Sequence, residues 1–146
     1  MIRAKVVPVL QMYGVTCCYL FGSRAGGDFY PDSDVDLAVI FRHFNAEVHT
    51  LALEIQMQED LVEVLDPAAV DLVFLQRVPV HLRFHAIRTA KVIYCEDDDF
   101  RTDFEDITVR DYLDFKPVVD RYYLEVEAEI LGRSESTSGG KGDERA

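Results

Sequence analysis

Two carboxylates, Asp34 and Asp36, stand two residues apart at the head of the apolar run Val35 to Phe41 (VDLAVIF). In an extended strand residues i and i+2 point to one face, so their Cβ atoms sit roughly 6–7 Å apart. Carboxylates converging on such a gap repel one another unless a cation lies between them. A hard divalent ion that takes oxygen ligands, such as Mg²⁺, suits the spot. The other face of the run, Val35, Leu37, Val39 and Phe41, is apolar, and the Asp face continues into Ala38 and Ile40, which places the acids at the rim of a sheet. Asp71 repeats the device inside a second apolar run, Val70 to Leu75 (VDLVFL). A lone carboxylate buried there is very costly. Beside Asp34 and Asp36 it completes a set of three that can hold two metal ions about 4 Å apart, the arrangement used for in-line phosphoryl transfer.

Gly22 and Ser23 close a third apolar run, ten residues before Asp34. Gly22 lets the backbone approach a ligand closely. Ser23 offers a hydroxyl and an N–H, a helical turn after it aims free N–H groups at a phosphate, and Arg24 can add a charge-assisted bond. Taken singly, Asp-x-Asp is a solvated strand end, Gly-Ser a turn and a strand Asp a paired acid. Four fixed positions at this spacing arise by chance in roughly one chain in a thousand.

The elements that must position these residues follow from pattern. Residues 2–13 read as a helix weakened or kinked by Pro8 and ended by Gly14. Val15 to Phe21 (VTCCYLF), Val35 to Phe41 and Val70 to Leu75 read as buried strands. Between the first two, Gly22 to Asp32 is a loop. Ala46 to Leu65 reads as a helix with Leu51, Ile55, Val62 and Leu65 inward and Glu54, Gln58 and Glu59 on a wet face, stopped at Asp66-Pro67. Val80 to Lys91 is a helix, Val92 to Cys95 a short strand, and Asp98 to Leu131 two helices or one bent at Pro117. The order predicts an α/β (α+β) domain, a small mixed sheet flanked by helices, with a C-terminal helical segment. The expected boundaries are one domain over 1–131, with a core over 1–95 and an acidic helical segment over 96–131. A Ser/Gly-rich flexible tail follows over 132–146.

The chain has 146 residues, with 27 acids against 15 Lys and Arg. That length fits one domain, and 49% apolar residues exclude wholesale disorder. A net charge of −12 argues against direct nucleic-acid binding, which needs clustered Lys and Arg, and against anionic membranes. The excess is uneven. Residues 1–95 hold 11 acids and 8 bases, whereas residues 96–129 hold 13 and 4, so the acidic segment from Glu96-Asp97-Asp98-Asp99 onward suggests a basic partner. No run approaches a membrane span. Cys17, Cys18 and Cys95 make a poor disulfide framework, which fits a reducing cytoplasm. Cys17 and Cys18 read as small packing residues. His81 and His85 have metal-compatible i, i+4 spacing but no third ligand, so packing or surface roles are expected. Arg42 and His49 straddle a strand end and a helix start, which denies them a helical nuclease pairing. Tyr122, Tyr123, Phe115 and Leu124 read as packing residues of the last helix, and Glu125, Glu127 and Glu129 as its solvated face.

Gly22-Ser23, ten residues, Asp34-Val35-Asp36, then Asp71 on a following strand resembles the nucleotidyltransferase superfamily related to DNA polymerase β. The small size and the wording LFGSRA…SDVDLAV are similar to the minimal nucleotidyltransferase (MNT) antitoxins paired with HEPN toxins. The resemblance implies the minimal nucleotidyltransferase fold. It implies Asp34, Asp36 and Asp71 as catalytic residues and ligands of Mg²⁺, two ions, with Asp71 also helping to deprotonate the attacking hydroxyl. Gly22, Ser23, Arg24 and Ser33 are implied to hold the nucleotide. The implied activity is transfer of AMP from ATP, the substrate, to a tyrosine of a partner HEPN toxin, in a hetero-oligomer in the cytoplasm. A contact-only antitoxin and an aminoglycoside-type transferase are the alternatives. Where the family often has a second Arg two residues after the first, this chain has Gly26, which removes a triphosphate contact.

Overall fold

A computed structural model describes residues 2–21 and 34–138, so Gly22, Ser23, Arg24, Gly26 and Ser33 lie outside the described residues. The chain divides into two compact units, Met1–Val109 and Arg110–Ala146. The first contains α1 (Ile2–Met12), β1 (Cys17–Phe21), β2 (Val35–Ile40), α2 (Leu51–Leu65), β3 (Val70–Phe74), α3 (Val80–Thr89), β4 (Lys91–Cys95) and the start of α4 (Asp98–Ser138). The strand order is β3-β2-β1-β4. β2 and β3 run parallel, which requires the α2 crossover between them, and β1 is antiparallel to both β2 and β4. The expected mixed sheet flanked by helices is the observed one.

Both faces of the sheet are covered. On one, Val6 and Leu10 of α1 and Met57, Leu61 and Leu65 of α2 pack on Leu20, Leu37, Val39 and Phe74. On the other, Ala86 and Ile87 of α3 and Phe100 and Phe104 of α4 pack on Tyr19, Ala38, Ile40 and Leu75. Burial on two sides explains why β1 and β2 read as near-continuous apolar runs.

α1 runs unbroken through Pro8 because that residue is exposed, so the carbonyl it leaves unpaired can be hydrated. Gly14 ends the helix at φ +73°, and Val15 N–H donates to the Leu10 carbonyl at 3.0 Å, a Schellman closure. α2 starts at Leu51, later than Ala46, because Thr50 is its N-cap, its hydroxyl accepting from Leu53 N–H at 3.2 Å.

The inward face of α2 differs from the expected one. Met57, Leu61 and Leu65 are buried, whereas Leu51 and Ile55 are 54% and 50% exposed and Val62 is exposed too. Nor are Glu54 and Gln58 a wet face. β3 is an edge strand, and its outward N–H groups at Leu72 and Phe74 donate to Gln58 Oε1 and Glu54 Oε1, both at 2.9 Å. The helix thus caps the edge that would otherwise pair with another chain. Gln58→Leu strands the Leu72 N–H and should lower stability by about 1–3 kcal/mol, the scale for an unsatisfied buried donor. Chemical denaturation checks this, and an unchanged midpoint would refute the capping role.

Two further expectations are corrected. Cys17 and Cys95 are joined as a disulfide, because the β1–β4 register places them directly opposite, Cα atoms 4.1 Å apart across 78 residues of sequence. Cys18 points to the other face, buried and free, its thiol pKa pushed up by desolvation. α4 is one helix through Pro117, which is exposed, and not two, and it runs to Ser138. The first unit also includes 96–109, since Phe100 and Phe104 belong to its core. In the second unit Tyr122 and Tyr123 are each 61% exposed, and Phe115 and Leu124 are exposed as well, so packing does not account for them.

Candidate active site

β2 and β3 place the carboxylates. In their parallel register Asp36 lies directly beside Asp71, and Phe21 of β1 completes the row on the other side of Asp36. Neighbouring strands are about 4.8 Å apart, so the two side chains are neighbours on the same face. Asp34 sits just before β2 and is exposed, Asp36 is half-buried and Asp71 is exposed. The acids therefore stand at the rim, at the end of the strands where Phe21 leads into the Gly22-Ser23 segment.

The Asp36 carboxyl is held above its ordinary pKa, first by desolvation, then by the charges of Asp71 and Asp34 and by the hydrogen bond to Asp71. Among the described residues no salt bridge reaches Asp34, Asp36 or Asp71. Among the same residues, no three His, Cys, Asp or Glu side chains stand close enough to hold a metal as a group; Asp36 and Asp71 are neighbours in register. Adjacent carboxylates that repel one another, partly open to water, are a donor set for a hard divalent cation. Mg²⁺ fits their chemistry.

Three observations refine the sequence reading. His81 and His85 are not brought to the carboxylates; both lie on α3, His85 exposed and His81 half-buried. The acids at the start of α4 are engaged within the chain. Asp97 caps α4 by accepting from Phe100 N–H at 3.0 Å and pairs with Arg42 at 2.9 Å, which together hold its carboxyl below the ordinary range. Asp98 and Glu105 pair with Arg101, and Glu105 accepts from Tyr19 Oη at 2.8 Å. These contacts tie α4 to the sheet, so reversing Asp97 and Asp98 would test folding rather than a free acidic patch. Finally, Phe21 and Val73 share the face of Asp36 and Asp71, and sequence reading passed over them. The signal was present, since Val73 lies two residues after Asp71 and alternation puts both on one side.

The comparisons with known proteins agree with this geometry. No curated protein is similar enough to match the chain. Solved structures that share its fold include the following three. One is a toxin–antitoxin with AMP-PNP (TM-score 0.65, 20% identity, 84% of this chain and 99% of that one). Another is a tri-AMPylated HEPN toxin of Shewanella oneidensis in complex with an MNT antitoxin (0.62, 21%, 84% and 96%). The third is the MntA–HepT toxin–antitoxin (0.61, 19%, 84% and 97%). The family model described as polymerase beta, nucleotidyltransferase matches residues 4–99, which is more than half of the chain and includes all three carboxylates. The chain therefore belongs to the polymerase beta nucleotidyltransferase family.

Proposed function

We propose that this chain is an antitoxin that transfers AMP from ATP to a tyrosine hydroxyl of a partner HEPN toxin, using Mg²⁺ held by Asp34, Asp36 and Asp71. The observation that carries the reading is the Asp36–Asp71 pair, in register and mutually repelling, in a chain of this family. The toxin–antitoxin complexes among its structural neighbours, one with a tri-AMPylated HEPN toxin and one with AMP-PNP, support the partner and the nucleotide. Bound Mg²⁺ would neutralise charge on the phosphates and lower the pKa of the attacking hydroxyl. The chain's own part is positional. Gly22, Ser23, Arg24 and Ser33 hold the phosphates, and Asp71 accepts the proton of the tyrosine hydroxyl. The oxygen bonds to the α-phosphorus as the bond to pyrophosphate breaks, giving tyrosyl-AMP, pyrophosphate and one proton.

The test is incubation of the folded chain with ATP labelled at the α-phosphate, Mg²⁺ and the HEPN toxin encoded beside it. Label on a toxin tyrosine and loss of its RNA cleavage are expected. An unlabelled toxin in the presence of folded chain would overturn the reading.

A further inference from the structure

The sheet face that carries Asp36 and Asp71 does not close completely under α3. A cavity of about 310 Å³ lies there, lined among the described residues by Phe21, Val73, Leu75, His85, Ala86 and Thr89, with others. Strand register builds its floor. Phe21, Asp36 and Asp71 form one row across β1, β2 and β3, and Tyr19, Ala38 and Val73 form the next row on the same face. Val73 is thus one side-chain step, roughly 6–7 Å, from Asp71. Of these two rows Phe21 and Val73 line the cavity, whereas Tyr19 and Ala38 are buried in the core.

We propose that this cavity receives the aromatic ring of the acceptor tyrosine and so selects a phenolic over an aliphatic hydroxyl. Three features favour that occupant. The lining is mainly apolar, with His85 and Thr89 as its polar members, and suits a flat ring that carries one hydroxyl, with Phe21 offering an aromatic partner. The volume is at the lower end of ligand pockets, roughly 300–1,000 Å³, and fits a side chain better than a whole nucleotide. The walls come from β3, the 3-10 turn Leu75–Arg77 and its neighbour Val78, and α3, which is the side of Asp71. A tyrosine ring entering between Val73 and the carboxylate row turns its hydroxyl toward Asp71.

The proposal rests on the adenylyl-transfer reading for its acceptor, and its test is separable from that reading. The chain, with labelled methyl groups, is titrated with N-acetyl-tyrosinamide and, separately, with ATP, and NMR follows Val73, Leu75, Leu82 and Ala86. Tyrosinamide should shift these methyls and ATP should not. Ala86→Leu fills the cavity from α3; it should keep the melting temperature, abolish the tyrosinamide shifts and cut transfer to the toxin at least tenfold, with ATP binding unchanged. Shifts caused by ATP, or by neither probe, overturn the pocket assignment, as does full transfer by Ala86→Leu. If wild type binds tyrosinamide here yet never labels the toxin, the transfer reading fails and the pocket stands.

Discussion

Asp36→Asn is expected to abolish transfer while making the metal-free chain harder to melt. The side chain lies between Asp34 and Asp71, and burial together with their charges already pushes its carboxyl toward the protonated form. Asn keeps the shape, removes one of three like charges and can donate a hydrogen bond to Asp71. Relief of repulsion on the order of 1 kcal/mol would raise the melting temperature by about 2–4 °C in a chain of this length. The same change removes a carboxylate from the set that would carry the cation and orient the phosphates. Activity should fall about a thousandfold, the scale on which one preorganised electrostatic group counts in a transition state. Differential scanning calorimetry and the labelled-ATP assay read the two effects on one preparation. A lower melting temperature would show that Asp36 is structural, and retained transfer would remove it from the site. Protection of cells by the inactive variant would instead favour neutralisation by contact alone.

Opposite movements of stability and activity are what a functional site imposes on a fold, and they explain which parts of this molecule were legible in its sequence. β1 and β2 could be read because each is buried on two sides, and β3 because it is apolar at every position but one, so the acids at 36 and 71 stood out as exceptions. That they meet is a matter of register, which the periodicity of either strand leaves open. α2 shows the opposite case. Leu51, Ile55 and Val62 form one apolar stripe and Met57, Leu61 and Leu65 another, at equivalent helical spacings. Only the orientation imposed by the sheet chooses between them, and it also turns Glu54 and Gln58 toward the edge of β3. The Cys17–Cys95 bond was hidden for the same reason, since pairing across 78 residues depends on β1 lying beside β4. Charge counting likewise found the acids at the start of α4 without their partners: Arg42, Arg101 and Tyr19 come from the loop after β2, α4 itself and β1, respectively.

Mg²⁺ should stabilise the chain increasingly as pH rises, against the trend of the metal-free protein. The sign follows from Asp36. Its carboxyl pKa is higher in the folded chain than in the unfolded one, where it lies near the ordinary value of about 4. Between those two values the folded state binds more protons, so raising the pH lowers metal-free stability across that window. The destabilisation is absent below the ordinary value and complete above the raised one. A cation binds the ionised form, so the same loss of the proton strengthens its binding. At a hundredfold excess over Kd the gain is about 2.7 kcal/mol. At about 2–4 °C per kcal/mol this is a rise in melting temperature of roughly 5–10 °C at neutral pH, shrinking toward pH 4. Asp36→Asn should flatten both the metal-free slope and the Mg²⁺ response, whereas Gln58→Leu, remote from the carboxylate row, should lower every melting temperature and leave the Mg²⁺ increment intact. An increment independent of pH, or one that survives Asp36→Asn, would place the cation elsewhere.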